Sequence, residues 1–189
     1  DGSLRRHRHV VVNADAATAM RRFVPAHLRR TWTDRRIERS RYSCSTFMLY
    51  LGVDGEIDLP HHTIYASRSY ERNLADISRH GTLSDDPSMY LCNPSRLDPT
   101  MAPRGASSLY VLVPTPNVQP GTNRVDWNAQ APAMRERALD QIESVFGLGD
   151  IRRRIRAERV VTPLDWQSEG IQFGATFNLD RKSTRLNSS

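Results

Sequence analysis

Apolar residues in this chain come in short bursts, and the spacing inside each burst predicts its structure. Val10-Val11-Val12 is wholly apolar and runs straight into Asn13-Ala14-Asp15. That reads as a buried parallel-type strand closing in a polar turn. Ala16 to Val24 suits a helix, capped by Asp15 or Asn13 and ended by Pro25. Residues 26–41 are arginine-rich with little periodicity and read as loop or frayed helix. From Ser45 to Leu51, Phe47, Leu49 and Leu51 alternate with Met48 and Tyr50. Both faces are apolar, so the spacing predicts a strand covered on both sides. Gly52 and Asp54-Gly55 break it.

Further along, His62 to Ala66 and Ser88 to Cys92 read as short strands. Glu71 to Arg79 looks helical, with Leu74 and Ile77 on one face and Gly81 as its stop. Asp98 to Gly105 is a proline- and glycine-containing loop. Ser108 to Val113 is the strongest strand pattern, terminated by Pro114 and Pro116. Pro132 to Phe146 is the strongest helix, with Pro132 at its first position. Met134, Ala138, Ile142, Val145 and Phe146 form its apolar stripe, and Gly147 and Gly149 mark its end. Arg156 to Thr162 is a last strand, closed by Pro163. Strands segregated in this way predict an α+β layer: a mixed, largely antiparallel sheet with helices on one face. The predicted sheet is built from 45–51, 62–66, 88–92 and 108–113, with the 132–146 helix packed on it. Residues 181–189 carry three positive charges and no periodicity. They resemble a cloning or assembly scar and are expected to make no tertiary contacts.

The length, 189 residues, suits one medium domain of about 100–200 residues. At 38% hydrophobic the chain is globular but somewhat short of core-forming residues, as if a further piece completed the core. No apolar run approaches the roughly 20 residues of a membrane span, and the start has no signal-peptide pattern. Two cysteines, Cys44 and Cys92, make no disulfide framework and read as buried free thiols in a reducing compartment. The net charge of +6 is uneven: +7 over residues 1–41, −4 over 42–180 and +3 over the last nine. Of the 27 basic residues only Lys182 is not arginine, and only Trp32 and Phe23 accompany the first arginines. Nucleic-acid surfaces mix lysine and arginine with interleaved aromatics, so a solvated face is the simpler reading and an anionic membrane surface comes next.

Candidate chemistry is sparse. Gly147-Leu148-Gly149 follows a helix, the wrong context for a dinucleotide loop. No nucleophile elbow is present. Asp85-Asp86 are adjacent on a turn and do not converge on one substrate. The His61-His62 and His7/His9 pairs have no carboxylate or thiol at ligand spacing, so no metal site is expected.

Six segments, in their order and spacing, carry a resemblance. They are VVVNADA (Val10–Ala16), YSCSTFMLYLGVD (Tyr42–Asp54), LPHHTIYASRSYE (Leu59–Glu71), DPSMYLCNPS (Asp86–Ser95), MAPRGASSLYVLVPTPN (Met101–Asn117) and TPLDW (Thr162–Trp166). Together they resemble the bacterial-type phytoene desaturase family, flavin-dependent carotenoid desaturases with the flavin amine oxidase fold. The match covers roughly residues 8–179. The family's glycine-rich dinucleotide motif and its flavin-covering segment are not in this sequence, so the chain resembles an internal fragment. The resemblance implies a division into residues 1–41 (end of the FAD-binding domain and linker), 42–163 (substrate-binding domain) and 164–180 (return toward the FAD domain). It implies FAD in the full-length parent, not held by this fragment, which alone would be inactive. Asn13, Ala14 and Asp15 match the family's strand end near the flavin. One face of the strands bearing Phe47, Leu49, Tyr50, Leu109, Tyr110 and Leu112 would line the substrate tunnel. The implied partners are a long apolar polyene and a peripheral membrane surface, with a cytoplasmic location and no nucleic acid; no catalytic residue is named. A carotenoid isomerase, ketolase or saturase, or a basic module for nucleic acid or anionic lipid, are the alternatives.

Overall fold

In the computed structural model, residues 3–179 are described. The tail expectation, on residues 181–189, lies outside them. The frame is a five-stranded sheet: Ser45–Asp54 (β1), His62–Tyr65 (β2), Met89–Cys92 (β3), Ala106–Thr115 (β4) and Ile155–Val161 (β5). Their order is β2-β3-β4-β1-β5, and every pairing is antiparallel. The α+β expectation therefore holds, with no parallel pair among the described residues.

β1 and β4 pair along ten residues each, with Phe47 opposite Val113, Leu49 opposite Val111 and Leu51 opposite Leu109. Side chains alternate across a strand, so this register places all six on one face. That face is covered by the helix Trp127–Val145 (designated α4 in chain order). Its Trp127, Met134, Ala138, Leu139 and Ile142 are buried in the same core as the strand residues. Trp127 stacks nearly parallel on Phe47, with ring centroids 6.0 Å apart. β4 is longer than its expected 108–113, and Pro114 lies inside it opposite Thr46. The proline is tolerated because β3 pairs no further than Leu112, so no ladder hydrogen bond is asked of it on that side.

Three expectations are corrected. Val10-Val11-Val12 is not a strand: Val10 and Val11 are 75% and 93% exposed, and no described strand pairs with them. An apolar run without a neighbouring ladder has no partners for its backbone groups and does not become a strand alone. Helix α4 begins five residues early, because Asp126 caps the N–H of Asn128 (3.1 Å) and Trp127 anchors the first turn. Pro132 thus sits inside the helix and forgoes the hydrogen bond to residue 128. Val145 is 40% exposed, so the stripe runs through Trp127, Met134, Ala138 and Ile142 and ends before it. In Tyr70–Ala75 (α3) Asn73 is buried and Leu74 exposed, and Ile77 is buried in the turn that follows. The turn Asp76–His80 widens to five residues and shifts the helical phase.

Ala16–Phe23 (α1) is capped by the Asp15 carboxylate, which accepts the Thr18 N–H at 2.8 Å. Within the arginine-rich stretch only a short helix forms, Asp34–Arg39 (α2), beside one 3-10 turn. α1, α2 and residues 173–179 share a second, smaller core of Ala17, Ile37, Tyr42, Phe173 and Ala175. Tyr42 meets Phe173 edge-on at 5.1 Å and donates its hydroxyl to the Ile37 carbonyl at 2.9 Å. Gly174 turns this segment at φ +62, and a Cβ there would lie 2.1 Å from the Pro163 carbonyl oxygen. The remaining helices are Ile151–Arg154 (α5) and Pro163–Ser168 (α6), the latter opened by a Thr162/Asp165 capping box. β5 forms one edge of the sheet, and its Arg156, Glu158 and Arg159 are exposed and ion-paired to Asp54, Arg135 and Glu169.

This helix register makes a direct expectation. Ile142→Ala should cost about 2–5 kcal/mol, because a fully buried side chain is deleted. Val145→Ala, three residues on, should stay within about 0.5 kcal/mol. Urea unfolding of the two variants checks this, and equal losses would contradict the packing of α4.

Candidate functional site

Among the described residues, the face of the sheet opposite α4 is buried at Thr46 and Met48 and exposed at Tyr50 and Ile64. The register puts Met48, Leu112, Tyr90 and Ile64 in one row across β1, β4, β3 and β2. Tyr50, Tyr110, Cys92 and His62 make the next row. Tyr50 is 38% and Ile64 75% exposed, while Tyr90, Tyr110 and Leu112 are half-buried. The far face of β1 is therefore divided: Thr46 and Met48, at 3% and 6%, are buried as the both-sided pattern predicts, and the strand opens only from Tyr50 onward.

The aromatic rings form a continuous patch. Tyr50 and Tyr110 centroids lie 6.2 Å apart, Tyr110 and Tyr90 5.7 Å, and Tyr90 and His62 5.7 Å. Their polar tips satisfy one another: the Tyr90 and Tyr110 hydroxyls are 3.4 Å apart, and the Tyr90 hydroxyl shares a 2.5 Å hydrogen bond with His62 Nδ1. Burial, and then the hydrogen bonds with Tyr110 and Cys92, push the Tyr90 phenol well above its ordinary range, so it stays neutral. A surface of this kind offers ring faces with the Tyr90 and Tyr110 hydroxyls already engaged.

The six strand residues singled out above split between the faces. Phe47, Leu49 and Leu109 are sealed in the core under α4, at 0%, 0% and 2% exposure. Tyr50, Tyr110 and Leu112 come together on the open face. The signal that separates them is the period of two, together with knowing which side α4 covers.

Asn13, Ala14 and Asp15 lie at the entry to α1, with Asn13 and Ala14 exposed and the Asp15 carboxylate engaged as the helix cap. A dinucleotide cradle needs backbone amides from a glycine-rich turn between a strand and a helix. Here residues 10–12 form no strand and no glycine precedes α1 closely, so these three residues do not by themselves fit the flavin pyrophosphate. Asp86 is a clamp, accepting hydrogen bonds from the Tyr65 hydroxyl (2.8 Å) and the Arg68 N–H (2.9 Å). Burial would raise its pKa, but these bonds prevail and hold the carboxyl below its usual range. Its neighbour Asp85 points to solvent toward Arg137.

The basic N-terminal stretch is partly spent on structure. Arg29 is buried against Asp34 at 2.6 Å, Arg21 reaches Asp34 and Glu38, and Arg36 lies over the Trp32 ring. The sequence sets the His61-His62 pair aside for want of a nearby thiol, but the β2–β3 pairing carries the Cys92 thiol to it. No spacing along the chain reveals it, because the residues are 30 apart and meet only across the ladder.

The chain is similar to curated carotenoid desaturases over nearly its whole length. It is 49% identical over 184 residues to the all-trans-zeta-carotene desaturase of Myxococcus xanthus, covering 94% of this chain and 34% of the relative. It is 43% identical over 178 residues to a 4,4'-diapophytoene desaturase (4,4'-diapolycopene-forming) of Methylomonas sp, with the same coverages. A phytoene desaturase (neurosporene-forming) of Rhodobacter capsulatus is 35% identical over 176 residues, 90% of this chain and 33% of the relative. The chain thus spans about a third of the length of the relatives it matches. No protein-family model matches it.

The titrating groups near these elements set an alkaline limit. Tyr42 is pushed up from 10.0 to about 12 by burial and then by the Asp15 charge. Burial also raises Cys44 above its ordinary 9.0, against the opposing pull of a backbone hydrogen bond. Groups raised on folding stabilise fully below their ordinary pKa and lose that contribution as pH climbs toward the folded value. Melting temperature should therefore fall from about pH 9 and steeply between 10 and 12. Tyr65, raised first by its hydrogen bond to Asp86, and Tyr90, raised first by burial, add to the same fall. Tyr42→Phe should flatten the upper part of that fall, and melts from pH 8 upward would show an unchanged slope if the assignment were wrong.

Proposed function

We propose that this chain, which in sequence is a segment of the bacterial-type carotenoid desaturases, forms the substrate-side sheet of an oxidoreductase that removes hydrogens from a long apolar polyene. The observation that carries this reading is the partly open face of Tyr50, Tyr90, Tyr110, Leu112 and Ile64, closed at one end by the buried Met48 and set against a core already sealed by α4. A polyene is a long rod with no hydrogen-bonding groups. Its binding depends on apolar area removed from water, at about 25 cal/mol per Å². A wall for such a rod must be apolar, extended and free of unpaired polar tips, since a hydroxyl covered by hydrocarbon without a partner costs about 1–3 kcal/mol. The internally bonded Tyr90 and Tyr110 meet that requirement.

In this reading the sheet orients the chain of the substrate and keeps water from it, and Phe47, Leu49 and Leu109 act from behind by holding the strands in place. The resemblance implies a flavin as hydrogen acceptor in the whole enzyme. By themselves residues 13–15 do not supply a cradle for its pyrophosphate. No helix among the described residues is long and apolar enough to cross a membrane. A polyene dissolved in a bilayer would be drawn from a membrane surface, and the exposed Val10, Val11, Phe23 and Leu28, interspersed with arginines, supply the amphipathic character for surface contact.

Two measurements test the proposal. A chimera carries residues 8–179 in place of the matching segment of the Myxococcus relative, and its pigments are separated by chromatography. Desaturated product is expected, and Leu112→Lys in the chimera should reduce it at least about tenfold, because a lone charge on an apolar wall costs several kcal/mol. Undiminished product from a folded Leu112→Lys chimera would remove Leu112 from the tunnel. Separately, the 189-residue chain mixed with excess FAD and desalted should show no visible flavin spectrum. A stoichiometric flavin spectrum would overturn the assignment of the cradle elsewhere.

A further inference from the structure

Cys92 stands directly opposite His62 in the β2–β3 ladder, and His61 precedes β2 by one residue. One ligand atom from each of His61, His62 and Cys92 lies within 4.8 Å of the others. The Cys92 sulfur is 3.5 Å from His61 Nε2, and the two imidazole rings are 4.0 Å apart. The backbone beneath them is fixed: the Asn93 N–H donates to the His61 carbonyl at 2.9 Å, and the Asn93 side chain donates to the carbonyls of Ile57 and Leu59. Cys92 is buried, His61 half-buried and His62 exposed, so the group opens to solvent on one side.

We propose that His61, His62 and Cys92 form a binding site for one Zn²⁺ ion, with the fourth position open. The donor set is two imidazole nitrogens and one sulfur, which suits zinc and excludes the hard cations that demand oxygen. In a tetrahedral zinc site the ligand atoms sit roughly 3.3–3.7 Å apart, given metal bonds of about 2.0–2.3 Å. The Cys92–His61 pair already has that separation, and closing the widest gap needs about an ångström of side-chain rotation. Ring orientation is supported from outside, since the Tyr90 hydroxyl holds His62 Nδ1, as a neighbouring hydrogen bond does for many metal-bound histidines. Binding requires the thiolate, so each zinc taken up displaces one proton from Cys92 to solvent while the histidines bind neutral. The ion would tie the short edge strand β2 to β3. This inference stands on the cluster alone and is independent of the desaturase reading.

The test uses the untagged, reduced, metal-free 189-residue chain and Co²⁺ as a visible probe. One equivalent should produce a thiolate-to-cobalt charge-transfer band and the visible bands of a tetrahedral ion, and Zn²⁺ should bleach both. Zinc added in weak buffer should release about one proton per ion. Cys92→Ser and His61→Ala should each abolish the charge-transfer band, with circular dichroism confirming that the fold is kept. Because Cys92 is buried, the half-buried His61 provides the variant less prone to unfold. Cys44→Ser and the double variant His7→Ala/His9→Ala should bind as the parent does. No stoichiometric band, a band that survives Cys92→Ser, or one lost in Cys44→Ser would each overturn the site.

Discussion

The ten-residue pairing of β1 with β4 fixes nearly everything else in the molecule. A strand has a side-chain period of two, so a slip of one residue would exchange the two faces entirely. In the observed register Phe47, Leu49, Leu51, Leu109, Val111 and Val113 meet α4, and Tyr50, Tyr110, Met48 and Leu112 are left on the far side. The stacked Phe47–Trp127 contact helps hold that choice, because the alternative would bring tyrosine hydroxyls against the buried helix face without partners. One pairing therefore decides both what is core and what is surface. Core and candidate site are two sides of the same ladder.

Much of this was legible along the chain. Alternation at 45–51 and 108–113 named the central strands, and the stripe at Met134, Ala138 and Ile142 named the covering helix. The rest failed for identifiable reasons. Pro132 resembled a helix start, but the real start lies at Asp126, whose cap and tryptophan neighbour outweigh the lost hydrogen bond. Val10–Val12 carries the composition of a strand and lacks a neighbour to pair with among the described residues. The resemblance implies that one face of these strands lines a tunnel, but it does not say which residues share that face. Tyr50 and Leu49 are adjacent and equally plausible in one dimension, yet they face opposite ways. The His61/His62/Cys92 group needed the sheet topology itself, since ligand spacing in sequence says nothing about cross-strand partners.

The two cores differ in what holds them. The larger one is dry side-chain packing under α4. The smaller one, around Tyr42 and Phe173, depends on polar ties as well: Asn117 to the Ser43 carbonyl, Gln119 to the Glu38 and Ser40 carbonyls, and Ser45 to the Gly174 carbonyl. Phe173 adopts φ 54, a strained value for a bulky residue, and the Tyr42 contact and the Val118-to-Phe173 backbone bond hold it there. Regions held in this way open more readily than a packed sheet, so the residues around the N-terminal helices should exchange amide hydrogens sooner than β1 and β4.

The edge strand β5 has one more consequence. Its outward backbone groups are unpaired by any further strand in the described sheet, which in general invites a neighbouring molecule to add itself there. Arg156, Glu158 and Arg159 line that border, each already held by an opposite charge on its own chain. An approaching strand would have to strip water from these charges and break the pairs before gaining a single ladder bond. A protein that leaves a greasy sheet face uncovered runs a standing risk of sticking to itself. Charging this border confines that stickiness to the broad face and denies it to the β5 rim, where fibres could otherwise begin.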